Sequence, residues 1–329
     1  MVARLFRFLL STFFFIFLAG FLAFGAGLTA ARAPGPTHTP QLIRIEKGTG
    51  LRGTAAQLEK QNIIRHRAVF LLAAVTSGNA TRLQAGEYEI AAHASSFSIL
   101  DQMAHGRVYQ RKMTIPEGLT TTEILSLLTS AEGLQGDLPE PLPAEGTLLP
   151  ETYAYTYGET KAQMIARMSS AMRDALQKLW TAHGPNFPVQ SPHDILTLAS
   201  IVEKETGVAH ERPRVAAVFL NRLRLGMKLQ SDPTVIYAIT QGKQPLNRPL
   251  YTKDLEENNS PYNTYRVMGL PPGPIANPGL DSLRAVFQPT QTDDLYFVAD
   301  GTGGHAFAKT LAEHNANVAR WRALPQKAR

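Results

Sequence analysis

The residues best suited to chemistry are two glutamates, Glu203 and Glu205, in the stretch ASIVEKETG (Ala199 to Gly207), where an apolar run ends. A positioned carboxylic acid donates a proton to a leaving group, and its carboxylate then accepts one. Two carboxyl groups flanking a glycosidic bond divide those roles. On a regular helix, however, residues two apart are turned about 160° from one another. Glu203 and Glu205 therefore cannot serve one site as a pair, and the question becomes which works alone. Glu203 lies beside Leu196, Ala199 and Ser200 of the preceding turn. Partial burial and the negative end of the helix dipole both favour the protonated carboxyl that a general acid needs. This reading selects Glu203. The plain alternative is that both glutamates make surface ion pairs, as most helical glutamates do.

The elements that must position these residues carry clear signals. In SPHDILTLASIVEKETG, Ser191 is an N-cap, Pro192 suits the first helical position, Asp194 completes a capping-box pattern and Gly207 stands just past the end. Ile195, Leu198, Ala199 and Val202 form one apolar face, with Lys204 opposite. Downstream, Val215, Val218, Phe219 and Leu223 mark a second amphipathic helix ending at Gly226, and Asp232 followed by Pro233 caps a third. A Pro/Gly loop, PYNTYRVMGLPPGPIANPGLDSL, holds Tyr262, Asn263 and Tyr265 and leads to a helix start at Asn277-Pro278. Aromatic and amide side chains on a rigid loop suit a sugar groove, and they also pack ordinary loops. LYFVADGTGGHAFAKT reads as a hairpin turning at Asp300-Gly301, followed by a C-terminal helix; DGTGGH lacks the Lys-Ser/Thr of a phosphate loop.

Upstream, Thr160 to Ala182 is a long amphipathic helix whose stripe of Met164, Ile165, Met168, Ala171, Met172, Leu176 and Leu179 is core packing. Gly133 to Glu145 is a loop. QLIRIEKGTGL gives a strand and a Gly turn, helices follow around 52–61 and 68–75, and LQAGEYEI gives another strand. A faint repeat of strand, Gly turn and helix joins IRIEKGTGLRGTAAQLEKQNII to KMTIPEGLTTTEILSLLTS.

The N-terminus bounds where the chemistry happens. Phe8 to Leu28 is free of charge and close to the ~20 residues that cross a bilayer. Arg4 and Arg7 precede it, which places residues 1–7 in the cytoplasm and the rest outside. AARA (Ala30 to Ala33) offers a signal-peptidase site, but the apolar core exceeds the ~7–15 residues usual there, so a retained anchor is expected. APGPTHTP (Ala33 to Pro40) reads as an extended spacer of about 25 Å. The net charge of +6 suits an acidic polymer or a membrane surface, and the anchor argues against nucleic acid as a partner. With no cysteine, disulfides and thiol nucleophiles are excluded. The nine histidines show no metal-ligand spacing, and neither metal nor cofactor is expected.

Long blocks of the chain resemble a known family. ASIVEKETGVAHERPRVAAVFLNRLRLGMKLQSDPTVIYAI, PYNTYRVMGLPPGPIANPGLDSLRA, LYFVADGTGGHAF and EGTLLPETYAY are similar to the signature blocks of the MltG-type (YceG-like) endolytic murein transglycosylases. Ile43, Ile45, Gly48, Leu51, Ala55, Leu58 and Ile63/Ile64 resemble a LysM-like module, a fold that binds N-acetylglucosamine polymers; an ordinary α+β subdomain fits them as well. The resemblance implies an α+β protein: a tail (1–7), a transmembrane helix (8–28), a spacer (29–40), a LysM-like β-α-α-β subdomain (41–112) and a mixed α/β catalytic domain (113–329). It implies cleavage of the MurNAc-β-1,4-GlcNAc bond of peptidoglycan, with 1,6-anhydro ends, on nascent strands at the outer face of the bacterial inner membrane. Glu203 would be the acid, Glu205 would be structural and pair with Arg212 or Arg214, and glycan polymerases would be partners. Gln230, Asp232, Tyr262 and Asn263 are expected to position glycan. A non-catalytic peptidoglycan-binding scaffold and a muramidase with a second carboxylate, Glu151 or Asp232, remain the alternatives.

Overall fold

A computed structural model of the chain describes residues 2–181 and 189–324. The chain divides into two compact units, one of Met1–Arg111 with Tyr155–Gly158 and one of Lys112–Ala154 with Glu159–Arg329.

The first unit begins with α1 (Val2–Arg32), whose apolar side chains from Leu5 to Phe24 are exposed. It is long and apolar enough to cross a membrane. The β-α-α-β order follows: β1 (Gln41–Ile45), α2 (Leu51–Lys60), α3 (Arg67–Thr76) and β2 (Gly86–Ile90), then α4 (Ser96–Ala104). The two strands pair antiparallel from Gln41↔Ile90 to Ile45↔Gly86. Strand alternation turns Ile43, Ile45, Tyr88 and Ile90 inward, onto Leu58, Phe70, Ile99 and Leu100.

One expectation is overturned here. The proline-rich segment is not a free spacer. Gly35 N donates to His93 O (3.1 Å), His93 N donates to Thr37 O (2.8 Å), and Thr37 is buried. The helix itself runs on to Arg32, and Ala31 is fully buried in the unit's core. Prolines set an extended path, but an extended strip with free N–H and C=O groups can still be tied down by a neighbouring loop.

β3 (Arg111–Thr114) pairs with β4 (Thr152–Tyr155), and all of both strands but Arg111 and Tyr155 belongs to the second unit. Between them lies α5 (Thr121–Ser130), held by a Thr120/Glu123 capping box. The β3, Gly118 (φ +75°), α5 order repeats β1, Gly48 (φ +87°), α2, as the faint sequence repeat suggested. Next come α6 (Lys161–Thr181), α7 (Pro192–Glu205), α8 (Arg212–Arg224), α9 (Asp232–Thr240), the short α10 (Thr252–Glu257) and α11 (Leu280–Phe287). A hairpin of β5 (Tyr296–Ala299) and β6 (His305–Ala308) precedes α12 (Leu311–Ala323). Ala182, the expected end of α6, lies outside the described residues.

The core forms around α7. Ser191 caps it through the Asp194 N–H, with Pro192 in the first turn, as expected. Every residue from Ile195 to Val202 is buried, Thr197 and Ser200 included, so α7 is enclosed on all sides rather than along one face. Its hydroxyls are accommodated locally: Thr197 donates to His193 O and Ser200 to Thr197 O, while Ser200 also accepts from Ile275 N. The helix ends when Thr206 turns extended (φ −138°, ψ 127°), so the two glutamates emerge together from the core. Two caps differ from expectation. Ser231, not Asp232, is the N-cap of α9, and Gly279, not Asn277, that of α11.

Candidate active site

The two glutamates of α7 reach different partners. Glu203 Oε1 accepts from Arg212 Nη2 (3.2 Å) and its Oε2 from the backbone N–H of Gly279 (2.9 Å). Its side chain is 5% exposed and that of Arg212 11%. Arg212 opens α8 and Gly279 caps α11, so Glu203 ties the end of α7 to the beginnings of two neighbours. Arg212 also reaches Glu117 (3.1 Å), whose pKa is raised by burial and then by the charge of Glu203. Both oxygens of Glu203 are thus engaged with donors of the protein. The geometry is that of a clasp.

Glu205 is placed otherwise. Ser231 Oγ donates to its Oε1 over 2.5 Å. Protein surrounds the carboxyl closely while part of the residue stays accessible. Burial raises its pKa to about 7; Asp232 adds to the rise, whereas Ser231, His305 and Arg222 oppose it. A carboxyl titrating near neutrality can give a proton and take one back. The expected ion pair of Glu205 with Arg212 or Arg214 is not formed. Arg212 goes to Glu203, and Arg214 to Asp294 at 2.7 Å.

Four chain segments build the surroundings of Glu205. Ser231 is buried and fixed by its own N–H to Thr264 Oγ1 (3.0 Å), while Thr234 and Thr264, both fully buried, bond one another at 2.8 Å. Next along the chain, Asp232 is exposed and accepts from the Tyr265 hydroxyl (2.6 Å). Burial, then that bond, raises the Tyr265 pKa and keeps the phenol protonated. Arg222 is buried beneath, donating to the carbonyls of Leu229 (2.9 Å) and Leu295 (2.6 Å) and to Gln230 Oε1 (3.3 Å). Its burial lowers its pKa. Gln230 takes a left-handed conformation (φ 53°), which turns the chain into α9. From the hairpin, His305 bonds the buried Glu211 twice, through Nδ1 (2.6 Å) and its backbone N–H (2.9 Å).

Residues 43–320 match the YceG-like family. The chain belongs to the YceG-like family. It is 33% identical over 303 residues to an endolytic murein transglycosylase of Bacillus subtilis, covering 83% of this chain and 82% of that one. It is 31% identical to the protein of the same description from Streptococcus pneumoniae, covering 84% of this chain and 57% of that longer relative. A solved structure of a yceG-like protein from Listeria monocytogenes is 31% identical, over 85% of this chain and 99% of that one, with a TM-score of 0.49.

In this YceG-like chain the residues expected at the site fall into three groups. Gln230 and Asp232 stand with Glu205, not with Glu203. Tyr262 is elsewhere, its ring 4.9 Å from that of Tyr237. Tyr237 in turn faces Glu145, a carboxyl whose pKa burial raises although it accepts from Thr121 N–H (2.8 Å) and Asn277 Nδ2 (3.1 Å). Asn263 is engaged within the protein. It is 0% exposed, its amide donates to Leu255 O (2.9 Å) and Asn258 O (2.8 Å), and its Oδ1 accepts from Tyr265 N (3.0 Å). It holds the loop that presents Tyr265. Glu151 is exposed and accepts from the N–H of Thr152. Sequence reasoning passed over Ser231, Arg222 and His305, and named Tyr265 only as a residue of its loop. Ser231 is adjacent to the selected Asp232, and DGTGGH, correctly read as a turn, delivers His305.

Proposed function

We propose that the chain is a membrane-anchored peptidoglycan lytic transglycosylase in which Glu205, rather than Glu203, carries the proton. The observation that carries this reading is the buried Glu205 carboxyl, raised to about 7 and held by Ser231. The names of the Bacillus and Streptococcus relatives supply the substrate class.

In this mechanism Glu205 protonates the oxygen linking MurNAc C1 to the GlcNAc that leaves, and the C1–O bond breaks. Positive charge develops at C1 and its ring oxygen. The carboxylate of Glu205 then removes the proton from the C6 hydroxyl of the same MurNAc, whose oxygen closes on C1 as the 1,6-anhydro ring. No water is consumed, and the acid returns to its starting state. One carboxyl is sufficient because the nucleophile belongs to the substrate. A pKa near 7 balances the two half-reactions at neutral pH. Asp232, held by Tyr265, supplies negative charge beside the site, and Gln230 contacts the glycan. Glu203 acts by holding α7, α8 and α11 together.

A second reading has its own observation: Asp232 is a second carboxylate close enough to raise the Glu205 pKa, as a hydrolytic muramidase would require. Mass spectrometry of digested, peptide-free glycan separates the two. Transglycosylation gives anhydro-MurNAc ends; products heavier by one water would establish hydrolysis, and no product would leave a binding scaffold.

The anchor reading of α1 places the rest of the chain outside the bacterial inner membrane, with Arg4 and Arg7 on the cytoplasmic side. Because residues 33–40 are docked in the first unit, this unit is held at the membrane surface without a free linker. Cuts would fall on glycan newly made there and end strand growth, beside the polymerases that supply it.

A further inference from the structure

We infer that α3 lies in the outer interface of the membrane crossed by α1, with its outward face, exposed at Ala68 and Val75, covered by lipid. The inference rests on the reading of α1 as an anchor, and its test separates the two.

Between Arg67 and Thr76, α3 contains no polar residue. Phe70, Ala73 and Ala74 form its inward face and are buried in the core of the first unit. At 100° per residue, Ala68, Leu71, Leu72 and Val75 cluster on the opposite side. Val75 is 68% exposed, more than any other large apolar residue described outside α1 and level with Phe8 of α1 at 67%. A helix that is apolar all round belongs in a protein interior or in lipid. Leu71 is partly buried against the core and Leu72 meets α1, while Ala68 and Val75 stay exposed among the described residues.

Its neighbour is the membrane helix. A Cβ on Gly27 would lie 2.5 Å from Leu72 Cδ2, so the exposed apolar surface of α1 continues without a break onto α3. The depth also agrees. Counted from the residue after Arg7, the ~20 residues of a hydrocarbon span end near Leu28, which puts Gly27 and Leu72 at the outer boundary. With 10 residues α3 is too short to cross, and lies in the interface plane instead. Polar residues bracket it: Arg65 and His66 are exposed before it and Arg67 at its start, and Thr76 is exposed at its end and Ser77 after it. The basic group suits anionic phosphate headgroups.

The chain has no cysteine, so single cysteines can report position. The full chain, reconstituted in vesicles of phosphatidylethanolamine and phosphatidylglycerol, would carry an environment-sensitive fluorophore at Val75→Cys. Ile16→Cys serves as the α1 reference and Lys47→Cys as the aqueous reference. The expected result is blue-shifted emission at Val75 and loss of fluorescence to lipids bearing a doxyl group high on the acyl chain, with Lys47 unaffected. If Ile16 is quenched while Val75 behaves like Lys47, the inference is overturned and the anchor stands. If Ile16 is not quenched, the anchor reading falls and takes the inference with it. Blue-shifted emission at Val75 without lipid quenching would mean that protein, such as a second copy, covers the face, and this too overturns it.

Discussion

Ser231 Oγ donates a hydrogen bond to Glu205 Oε1 over 2.5 Å, and this contact is the most direct restraint on the carboxyl whose pKa lies near neutrality. A donor to the carboxylate favours the charged form, so the bond opposes the larger effect of burial. Ser231→Ala should therefore push the Glu205 pKa higher still. The alkaline limb of kcat/KM, where the free enzyme loses its acid, should move up by roughly one pH unit, with a fall in kcat from lost orientation. An unmoved limb would detach Glu205 from the titration that governs turnover.

The same carboxyl makes a signed prediction about stability. Its folded pKa of about 7 exceeds the ordinary value of 4.5, so the folded state binds more protons between those values. Its stability contribution is complete below pH 4.5 and is lost as pH rises through 7. Glu205→Gln removes the charge but keeps the shape. The variant should therefore gain stability over the parent as pH rises across this window, by up to about 3 kcal/mol above it. Paired denaturation curves at pH 5 and pH 8 would measure the gain; a constant difference would contradict it.

Asn263 was selected from the sequence as a sugar ligand and is a buried loop strut. Asn263→Ala leaves the carbonyls of Leu255 and Asn258 and the N–H of Tyr265 without their partner. A loss of about 1–3 kcal/mol is expected. KM for glycan, corrected for the folded fraction, should be unchanged unless the loop carrying Tyr265 shifts. A raised KM with unchanged stability would restore the ligand reading.

The docking of residues 33–40 is testable at Gly35. A Cβ there would lie 2.4 Å from Ala94 O and 3.2 Å from Ile63 O, both backbone atoms. Gly35→Ala should destabilise the first unit by about 1–3 kcal/mol. In a free linker the same change would be neutral or slightly stabilising, because alanine restricts the unfolded chain.

What was legible in the sequence was local. Ser191 and Pro192 announced α7 because a cap and its helix are neighbours in the chain. The divergence of Glu203 and Glu205 followed from helix geometry alone. Which of them is the acid was not legible, because partners remote in sequence decide it. Gly279 and Arg212 engage one, while Ser231 bonds the other. Nothing in the pattern IVEKE distinguishes an oxygen that meets an arginine from one that meets a serine. The spacer was misread for the same reason: Gly35 and Thr37 are tied to His93, and proline content reports only the local path of the chain.

The most direct test compares Glu205→Gln with Glu203→Gln on purified, peptide-free glycan, counting anhydro-MurNAc ends released per folded molecule. Glu205→Gln should fold and lose at least about 100-fold in turnover, since the amide cannot pass a proton. Glu203→Gln should instead weaken the ion pair with Arg212, lower the melting temperature and keep most turnover in the molecules that remain folded. A folded Glu203→Gln protein without activity, beside a Glu205→Gln protein that still cleaves, would contradict the assignment.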